Sequence, residues 1–282
     1  MKTEKKIQKP HWLKIKLPDT EEYRWMNNTI KKNNLHTICS NARCPNSAEC
    51  WSHGTATFMI LGNICTRSCK FCNVKTGKPL PVDFEEPLRV ANSVKIMKLK
   101  HAVITSVDRD DIDDGGASVW AETILKIKEL NQEITIEVLI PDFKGNFDMI
   151  QKIIDAKPDV IGHNLETVRR LTPEIRSKAK YNTSLSVLKY ISKSGITSKS
   201  GIMLGLGETN NEIFETMDDL VSIGVQIFTI GQYLQPSPKN VEVKEYITPE
   251  KFIFLKEEGI KRGFKFVESG PLVRSSYKAS PH

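Results

Sequence analysis

Three cysteines within residues 65–72 carry the clearest chemical signal of the sequence. Cys65, Cys69 and Cys72 form a C-x3-C-x2-C set, and an aromatic residue, Phe71, stands directly before the third thiol. A structural zinc ion usually has four protein ligands, whereas three thiolates fit a 4Fe-4S cluster whose fourth iron binds an exchangeable molecule. The spacing therefore predicts a catalytic iron-sulfur cluster rather than zinc.

A second group of three cysteines precedes this loop. Cys39, Cys44 and Cys50 form a C-x4-C-x5-C set, and the chain has no seventh cysteine. A fourth ligand must then be another residue or a small molecule. Imidazole is chemically the first choice, because a hydroxyl oxygen is a hard donor that binds cluster iron poorly. The candidate residues are His36, His53, Ser275 and Ser276.

The placement of the cysteines indicates the compartment. All six lie between positions 39 and 72 of a 282-residue chain, whose first residues carry no apolar export signal. A chain of this length buries a substantial core without disulfides, so thiolate metal ligation in a reducing, cytoplasmic compartment is the better interpretation. No apolar run approaches the roughly 20 residues of a membrane span, and no membrane role is predicted.

The net charge of +7 comes largely from lysines scattered along the chain. Nucleic-acid-binding proteins typically gather basic residues on one stretch or face, so no nucleic-acid partner is predicted. Two interpretations of the charge stay open: a lysine-rich solvated surface, or attraction to an acidic partner protein.

The elements that must position these residues alternate along the chain. Short β-branched runs alternate with segments of helical period, which is typical of βαβ units. Six parallel strands are predicted at 55–61, 101–107, 134–140, 160–164, 198–204 and 225–231. A last apolar run, 264–269, can supply a seventh strand or close one end. The pattern fits a doubly wound sheet or an incomplete barrel, and in both the loops after strands carry the chemistry.

Two helices have clear signals. Residues 118–130 place Trp120, Ile124 and Ile127 on one face, which predicts a core helix. A later helix is expected to begin at Pro249, with Thr248 as its N-cap.

The loop that holds Cys65, Cys69 and Cys72 follows the first predicted strand, and with Phe71 it resembles the signature of the radical SAM superfamily. In that superfamily the open iron binds S-adenosylmethionine, and one electron from the cluster cleaves it to a 5′-deoxyadenosyl radical. The protein's part is to hold SAM, exclude water and direct the radical.

Distinctive stretches run along nearly the whole chain. They are KPHWL at 9–13, both cysteine sets in their order, TSVDRDDIDDGGA at 105–117, GHNLETV at 162–168, SGIMLGLGE at 200–208, TIGQYLQPS at 229–237 and SGPLVRSSYKA at 269–279. In these stretches the chain resembles the lipoyl synthase family. The resemblance implies an α/β fold, a partial TIM-type (β/α)6 barrel at 54–263, with an N-terminal extension at 1–53 and a C-terminal segment at 264–282.

The chemistry implied by this resemblance uses two 4Fe-4S clusters and SAM. The enzyme would be a sulfurtransferase that inserts sulfur at C6 and C8 of a protein-bound octanoyl-lysine. Cys65, Cys69 and Cys72 would hold the SAM cluster. The N-terminal extension would hold an auxiliary cluster that gives up its sulfides, closed by the C-terminal segment. The auxiliary ligands would be Cys39, Cys44, Cys50 and Ser276, with Ser275 as the alternative.

The same resemblance implies three protein partners. They are an octanoylated lipoyl carrier protein or domain, an electron donor, and a protein that rebuilds the spent cluster. Biotin synthase or a methylthiotransferase is the nearest rival within radical enzymes, and a zinc-stabilised binding protein is the rival outside them. A brown colour after anaerobic purification distinguishes the iron-sulfur enzymes from a zinc protein, because zinc proteins are colourless.

The positions that follow strands, together with the resemblance, favour Thr105, Ser106, Asn164 and Glu166 as SAM contacts, with Phe71 beside the cofactor. A carboxylate suits ribose hydroxyls. The alternative is that Asn164 and Glu166 cap the following helix, and both roles can coexist.

Three further features have a structural and a functional interpretation. Gly115 and Gly116 can let the backbone approach SAM or form a simple turn. His163 is expected to be structural. Arg274 either pairs with a carboxylate or the cluster, or lies on the surface.

Overall fold

The computed structural model describes residues 8–14, 21–32, 36–37, 46–52 and 55–277. Its described strands are β1 (Thr55–Ile60), β2 (Ile64–Cys65), β3 (Lys75–Thr76), β4 (His101–Ser106), β5 (Thr135–Leu139), β6 (Val160–Gly162), β7 (Thr197–Leu204), β8 (Ile227–Gln232) and β9 (Phe266–Gly270). Its described helices are α1 (Glu21–Lys32), α2 (Ser47–Ser52), α3 (Glu86–Ile96), α4 (Ala117–Leu130), α5 (Phe147–Asp155), α6 (Thr172–Ile175), α7 (Tyr181–Lys193), α8 (Asn210–Ser222) and α9 (Pro249–Arg262).

The main sheet of the described chain has seven strands in the order β1-β4-β5-β6-β7-β8-β9, all parallel. This order follows the sequence without the reversal that defines a doubly wound sheet. It is the order of a (β/α) barrel that stays open. The predicted fold class is confirmed, and the run at 264–269 supplies a seventh strand.

Each predicted strand agrees with an observed one to within two residues at either end. Helix α4 buries Trp120, Ile124 and Ile127 completely, as the pattern indicated. Helix α9 begins at Pro249, and the Thr248 side chain accepts a hydrogen bond from the Lys251 amide.

Both faces of the sheet are buried, as in other parallel sheets. Alternate residues such as Ala102, Ile104, Ile136 and Val138 join the apolar cluster under the helices. The opposite face is more polar, and there the Lys199 ammonium lies 2.8 and 2.9 Å from the two carboxylate oxygens of Glu137. The barrel interior therefore pairs its buried charges.

The N-terminal segment packs on the edge of the sheet at β1. The Met59 amide donates to the His36 carbonyl at 2.9 Å, and Thr37 forms an antiparallel bridge with Phe58. Trp51 of α2 is buried in the same cluster as β1. These contacts cover an otherwise exposed strand edge and bring Cys50 to the body of the barrel.

The described helices include none that is long and apolar enough to cross a membrane.

Candidate active site

The loop with Cys65, Cys69 and Cys72 leaves the carboxyl end of β1 and is closed at its base by the short strands β2 and β3. The Gly77 amide donates to the Cys65 carbonyl at 3.0 Å, and the Thr76 hydroxyl donates to the Arg67 carbonyl at 3.2 Å. The Cys72 amide donates to the Cys69 carbonyl at 3.1 Å. The cysteines thus share one compact loop.

Backbone amides point at two of the thiols. Cys65 Sγ accepts from the amides of Arg67 at 3.3 Å and Asp108 at 3.4 Å, and Cys72 Sγ accepts from the Val74 amide at 3.4 Å. Such donors stabilise a thiolate and tune a bound cluster. The donor set therefore fits iron-sulfur ligation.

Burial acts on the same thiols in the opposite direction. It raises the pKa of the Cys65 thiol to about 11 and that of Cys72 to about 12. Without a metal these thiols are neutral, so cluster binding must release their protons.

A buried guanidinium fixes the loop to the loops after β4 and β5. Arg67 makes paired hydrogen bonds of 2.9 Å with the two carboxylate oxygens of Asp110, and its guanidinium lies 3.3 Å from Asp108 and 2.8 Å from Asp142. Burial alone would lower the pKa of Arg67, but hydrogen bonds with Asp110 and the nearby carboxylates raise it. The same pairing lowers the pKa of Asp110.

Two other segments hold the outer side of the loop. The Ser177 hydroxyl accepts from the Ser68 amide at 3.1 Å and lies 3.8 Å from Cys69 Sγ. The Asn240 side chain donates to the carbonyls of Lys70 at 3.1 Å and Cys72 at 2.9 Å. The loop is therefore anchored at nearly every residue between its cysteines.

Asn164 and Glu166 follow β6 at the same end of the barrel. Glu166 has a positive φ of 70° and bridges to Ile202 on β7. Burial raises the pKa of Glu166, while Arg176 and a hydrogen bond with Asn164 oppose that rise. The Arg176 guanidinium donates to the Asn164 carbonyl at 3.0 Å, and the Lys70 amide donates to the carbonyl of Ile175, the residue before Arg176, at 2.9 Å. The loop after β6 therefore lies close to the cysteine loop.

The helix-capping alternative for these two residues is wrong. The next helix, α6, has Leu171 as its N-cap, and no side chain caps it. Asn164 instead donates to the Ser275 hydroxyl at 2.6 Å. Asn164 thus joins Glu166, near the cysteine loop, to the C-terminal tail.

The other residues predicted to contact SAM are Thr105, Ser106 and Phe71, and each has different neighbours. The Thr105 hydroxyl donates to the Leu139 carbonyl at 3.3 Å. The Ser106 hydroxyl is buried and has no hydrogen-bond partner among the described residues. Phe71 packs against the apolar cluster of the second half of the barrel. Their contacts with SAM stay predictions.

Gly115 and Gly116 have positive φ and turn the chain into α4. A Cβ at Gly116 would clash with the Leu61 side chain, and one at Gly115 would lie 2.9 Å from Phe143. The turn interpretation is therefore supported by close packing against neighbouring side chains.

His163 is completely buried between two partners. Its Nδ1 lies 2.9 Å from the Ile140 carbonyl and its Nε2 lies 2.9 Å from the Ser184 hydroxyl. Burial lowers its pKa to about 4. A neutral, doubly bonded imidazole agrees with the expected structural role.

The residues predicted to hold an auxiliary cluster are described only in part. Cys39, Cys44 and His53 lie outside the described residues, whereas Cys50 lies on α2 and packs against the core. The Tyr277 hydroxyl donates to Glu49 at 3.0 Å, next to Cys50. The tail with Ser275 and Ser276 therefore meets the segment that carries Cys50.

Among the described residues, no group of three His, Cys, Asp or Glu side chains converges on a single ion. The cysteine ligands of a 4Fe-4S cluster bind different irons and need not converge on one point.

The sequence patterns missed several residues that shape this site. No sequence pattern marked Arg67 within the cysteine loop, or Arg176 and Ser177 after β6. The Arg67 network had one available signal in the sequence. This was the acidic stretch after β4 combined with a basic residue inside the cysteine loop.

Two protein-family sequence models match this chain, one over the region that contains the cysteine loop and one over the N-terminal segment. The sequence model of the Radical SAM superfamily matches residues 59–220, and that of the N-terminal domain of lipoyl synthase matches residues 1–44. A lipoyl synthase of Treponema denticola is 62% identical over 97% of this chain and 94% of its own length. The chain belongs to the lipoyl synthase family.

A second lipoyl synthase, of Bacteroides fragilis, is 58% identical over 100% of this chain and 98% of its own length. Membership makes the chain a radical SAM enzyme, which implies SAM and a 4Fe-4S cluster as cofactors.

Solved structures share the fold at low identity. Streptococcus suis SuiB bound to precursor peptide SuiA aligns with a TM-score of 0.61 at 14% identity, over 88% of this chain and 52% of that chain. Methylornithine synthase aligns with a TM-score of 0.57 at 13% identity, over 86% and 81%. These similarities support the barrel architecture alone.

Proposed function

We propose that this chain inserts two sulfur atoms, at C6 and C8, into an octanoyl group carried on a protein lysine, which forms the lipoyl group. The proposal depends on near full-length identity of 57–62% to lipoyl synthases, combined with the cysteine loop at the carboxyl edge of the barrel. Both the fold and the loop suit a radical reaction on an unactivated carbon chain.

Cys65, Cys69 and Cys72 would hold the SAM cluster. When bound there, the cluster and SAM supply a 5′-deoxyadenosyl radical that removes hydrogen from an unactivated carbon. The amides that donate to Cys65 and Cys72 favour the ligating thiolates. Glu166 and Asn164 would orient SAM from β6, and Thr105, Ser106 and Phe71 would line its site.

Cys39, Cys44, Cys50 and Ser276 would hold an auxiliary 4Fe-4S cluster, which is the sulfur substrate. The Ser275 hydroxyl already accepts a hydrogen bond from Asn164, which favours Ser276 over Ser275 as the ligand. A hard serine oxygen binds cluster iron weakly. A weak fourth ligand suits a cluster that must be dismantled.

The proposed reaction also needs protein partners and a reducing environment. The partners would be an octanoylated carrier protein or domain, a one-electron donor and a protein that rebuilds the cluster. Cys65, Cys69 and Cys72 are free thiols, which suits the cytoplasm.

The test is an anaerobic assay with reductant, SAM and an octanoyl-lysine peptide, read by mass spectrometry. Replacement of two hydrogens by two sulfurs is expected. Intact clusters with SAM cleavage but an unchanged peptide mass would overturn the proposal.

The ligand assignment has its own pair of variants. Ser276→Ala should leave an auxiliary cluster with one iron that chelators remove readily, whereas Ser275→Ala should keep all four irons. The reverse pattern would assign Ser275 as the ligand.

A further inference from the structure

The C-terminal segment after β9 contacts β8, the loop after β6 and the N-terminal segment, and it finishes in a tight turn. The buried Val273 donates its amide to the Gly270 carbonyl at 3.1 Å. Its own carbonyl lies against Gly231 of β8, where any Cβ would clash with it. The Tyr277 amide donates to the Arg274 carbonyl at 2.8 Å, so Ser275 and Ser276 are the two central residues of the turn.

Two side chains from the N-terminal segment hold this turn on one side. The Asn46 amide group donates to the Leu272 carbonyl at 2.6 Å, and the Tyr277 hydroxyl donates to Glu49 at 3.0 Å. Asn46 and Glu49 belong to the few residues directly before Cys50. The contacts therefore bind the tail to the segment that carries an auxiliary cysteine.

Asn164 holds the turn on the other side, through its 2.6 Å hydrogen bond to the Ser275 hydroxyl. A Cβ at Gly201 would lie 3.2 Å from Asn164 Oδ1, so the small residue at that position leaves room for Asn164. Asn164 lies two residues before Glu166, in the loop after β6. The turn is thus joined to the loop that approaches Cys72.

We propose that Glu49, Tyr277 and Asn164 are positioning residues, which latch the C-terminal turn between the N-terminal segment and the barrel so that Ser276 faces the auxiliary cluster. Of the two serine hydroxyls in this turn, that of Ser275 accepts a hydrogen bond from Asn164. The Ser276 hydroxyl has no hydrogen-bond partner among the described residues. The inference rests on the proposed auxiliary cluster. It adds that a weak serine ligand is kept in place by its neighbours rather than by its own bond to iron.

The experiment compares full-length, reconstituted Tyr277→Phe protein with wild type. Iron release from the auxiliary cluster to a chelator is followed by absorbance, and Mössbauer spectra report the distinct fourth iron. Loss of one partly exposed hydrogen bond should speed release of that iron by about three- to tenfold. The SAM cluster should keep its spectrum in the same sample.

Conservative and matched variants separate a latch from a general loss of stability. Glu49→Gln keeps an acceptor and should release iron as wild type does, whereas Glu49→Leu should behave like Tyr277→Phe. Tyr190→Phe is the matched control, because it removes a tyrosine hydroxyl bond to Gln151, which joins α7 to α5. Equal iron release in Tyr277→Phe and Tyr190→Phe would overturn the latch.

Hydrogen exchange of the 271–277 peptide, measured before cluster reconstitution, tests the latch independently of sulfur insertion. Tyr277→Phe and Asn164→Ala should both raise exchange there. If wild type forms lipoyl product and the variants exchange and release iron as wild type does, the latch fails and the function stands. If the variants exchange faster but the wild-type protein forms no lipoyl product, the latch stands and the proposed function fails.

Discussion

The two cysteine sites are built in opposite ways. The cysteine loop at 65–72 is one contiguous stretch, held by a buried arginine, three carboxylates and the segments around Ser177 and Asn240. The proposed auxiliary site joins the segment that carries Cys50 to a turn more than 200 residues later, through Asn46, Glu49 and Asn164. Many contacts hold the cysteine loop, whereas the auxiliary site depends on a few long-range hydrogen bonds.

This difference suits the proposed roles. A cluster that activates SAM repeatedly must survive each turnover, so rigid packing around it is an advantage. A cluster that supplies sulfur must be opened and rebuilt, so a site closed by a short turn is easier to release and refill. Three predictions test how far the two sites are independent, and a fourth tests the buried imidazole of His163.

The largest effect should come from replacing Cys65, Cys69 and Cys72 together by alanine. SAM cleavage and sulfur insertion should fall to the assay background, because the iron that binds SAM is lost. Iron analysis should still find an auxiliary cluster. Failure of the auxiliary cluster to form in this variant would show that the two sites are not independent.

Arg67→Met should be the next most damaging change. It leaves three carboxylates without their buried cation, which typically costs about 3–5 kcal/mol. Arg89→Met is the control, since its partner Asp83 is half exposed and such pairs contribute about 0–1 kcal/mol. Chemical denaturation measures both; equal stability losses would contradict the importance given to the Arg67 network.

Gly231→Ala should weaken the auxiliary site alone. Its Cβ would clash with the Val273 carbonyl and displace the tail, whereas Gly162→Ala meets its nearest atom at 3.4 Å and should be tolerated. We expect several-fold faster chelator release of auxiliary iron in Gly231→Ala only. Equal release rates in the two variants would mean that the tail does not depend on this close approach.

The smallest effect is a pH dependence of folding stability. His163 has a pKa of about 4 when folded and about 6.5 when unfolded. Between these values the unfolded chain binds the extra proton, so stability falls as pH drops from 6.5 towards 4, by roughly 3 kcal/mol at most. His163→Gln should lose this component; an unchanged pH profile would argue against a neutral buried imidazole.

Much of this architecture follows from local sequence patterns. Alternating strands and helices predicted the parallel sheet, and Thr248 and Pro249 marked the start of α9. The cysteine spacing placed the catalytic loop after β1, because ligands and their loop are contiguous. Local periodicity could not choose between a doubly wound sheet and a barrel, since that depends on strand order.

The long-range contacts were beyond such reasoning. Nothing in the sequence joins Tyr277 to Glu49, or Ser275 to Asn164, because those pairs meet only after the barrel forms. For the same reason the helix-capping alternative for Asn164 was reasonable on sequence and wrong in the structure. The buried Arg67 network was likewise hidden among ordinary charged residues.

The most direct test of the division of labour between the sites is an isotope experiment on the sulfur. The protein is reconstituted with heavy-isotope sulfide, freed of excess sulfide, and given SAM, reductant and an octanoyl-lysine peptide for a single turnover. The account predicts that both sulfurs of the product are heavy and that only the auxiliary cluster is lost, with the SAM cluster intact. A product with unlabelled sulfur, or one formed while the auxiliary cluster stays whole, would contradict it.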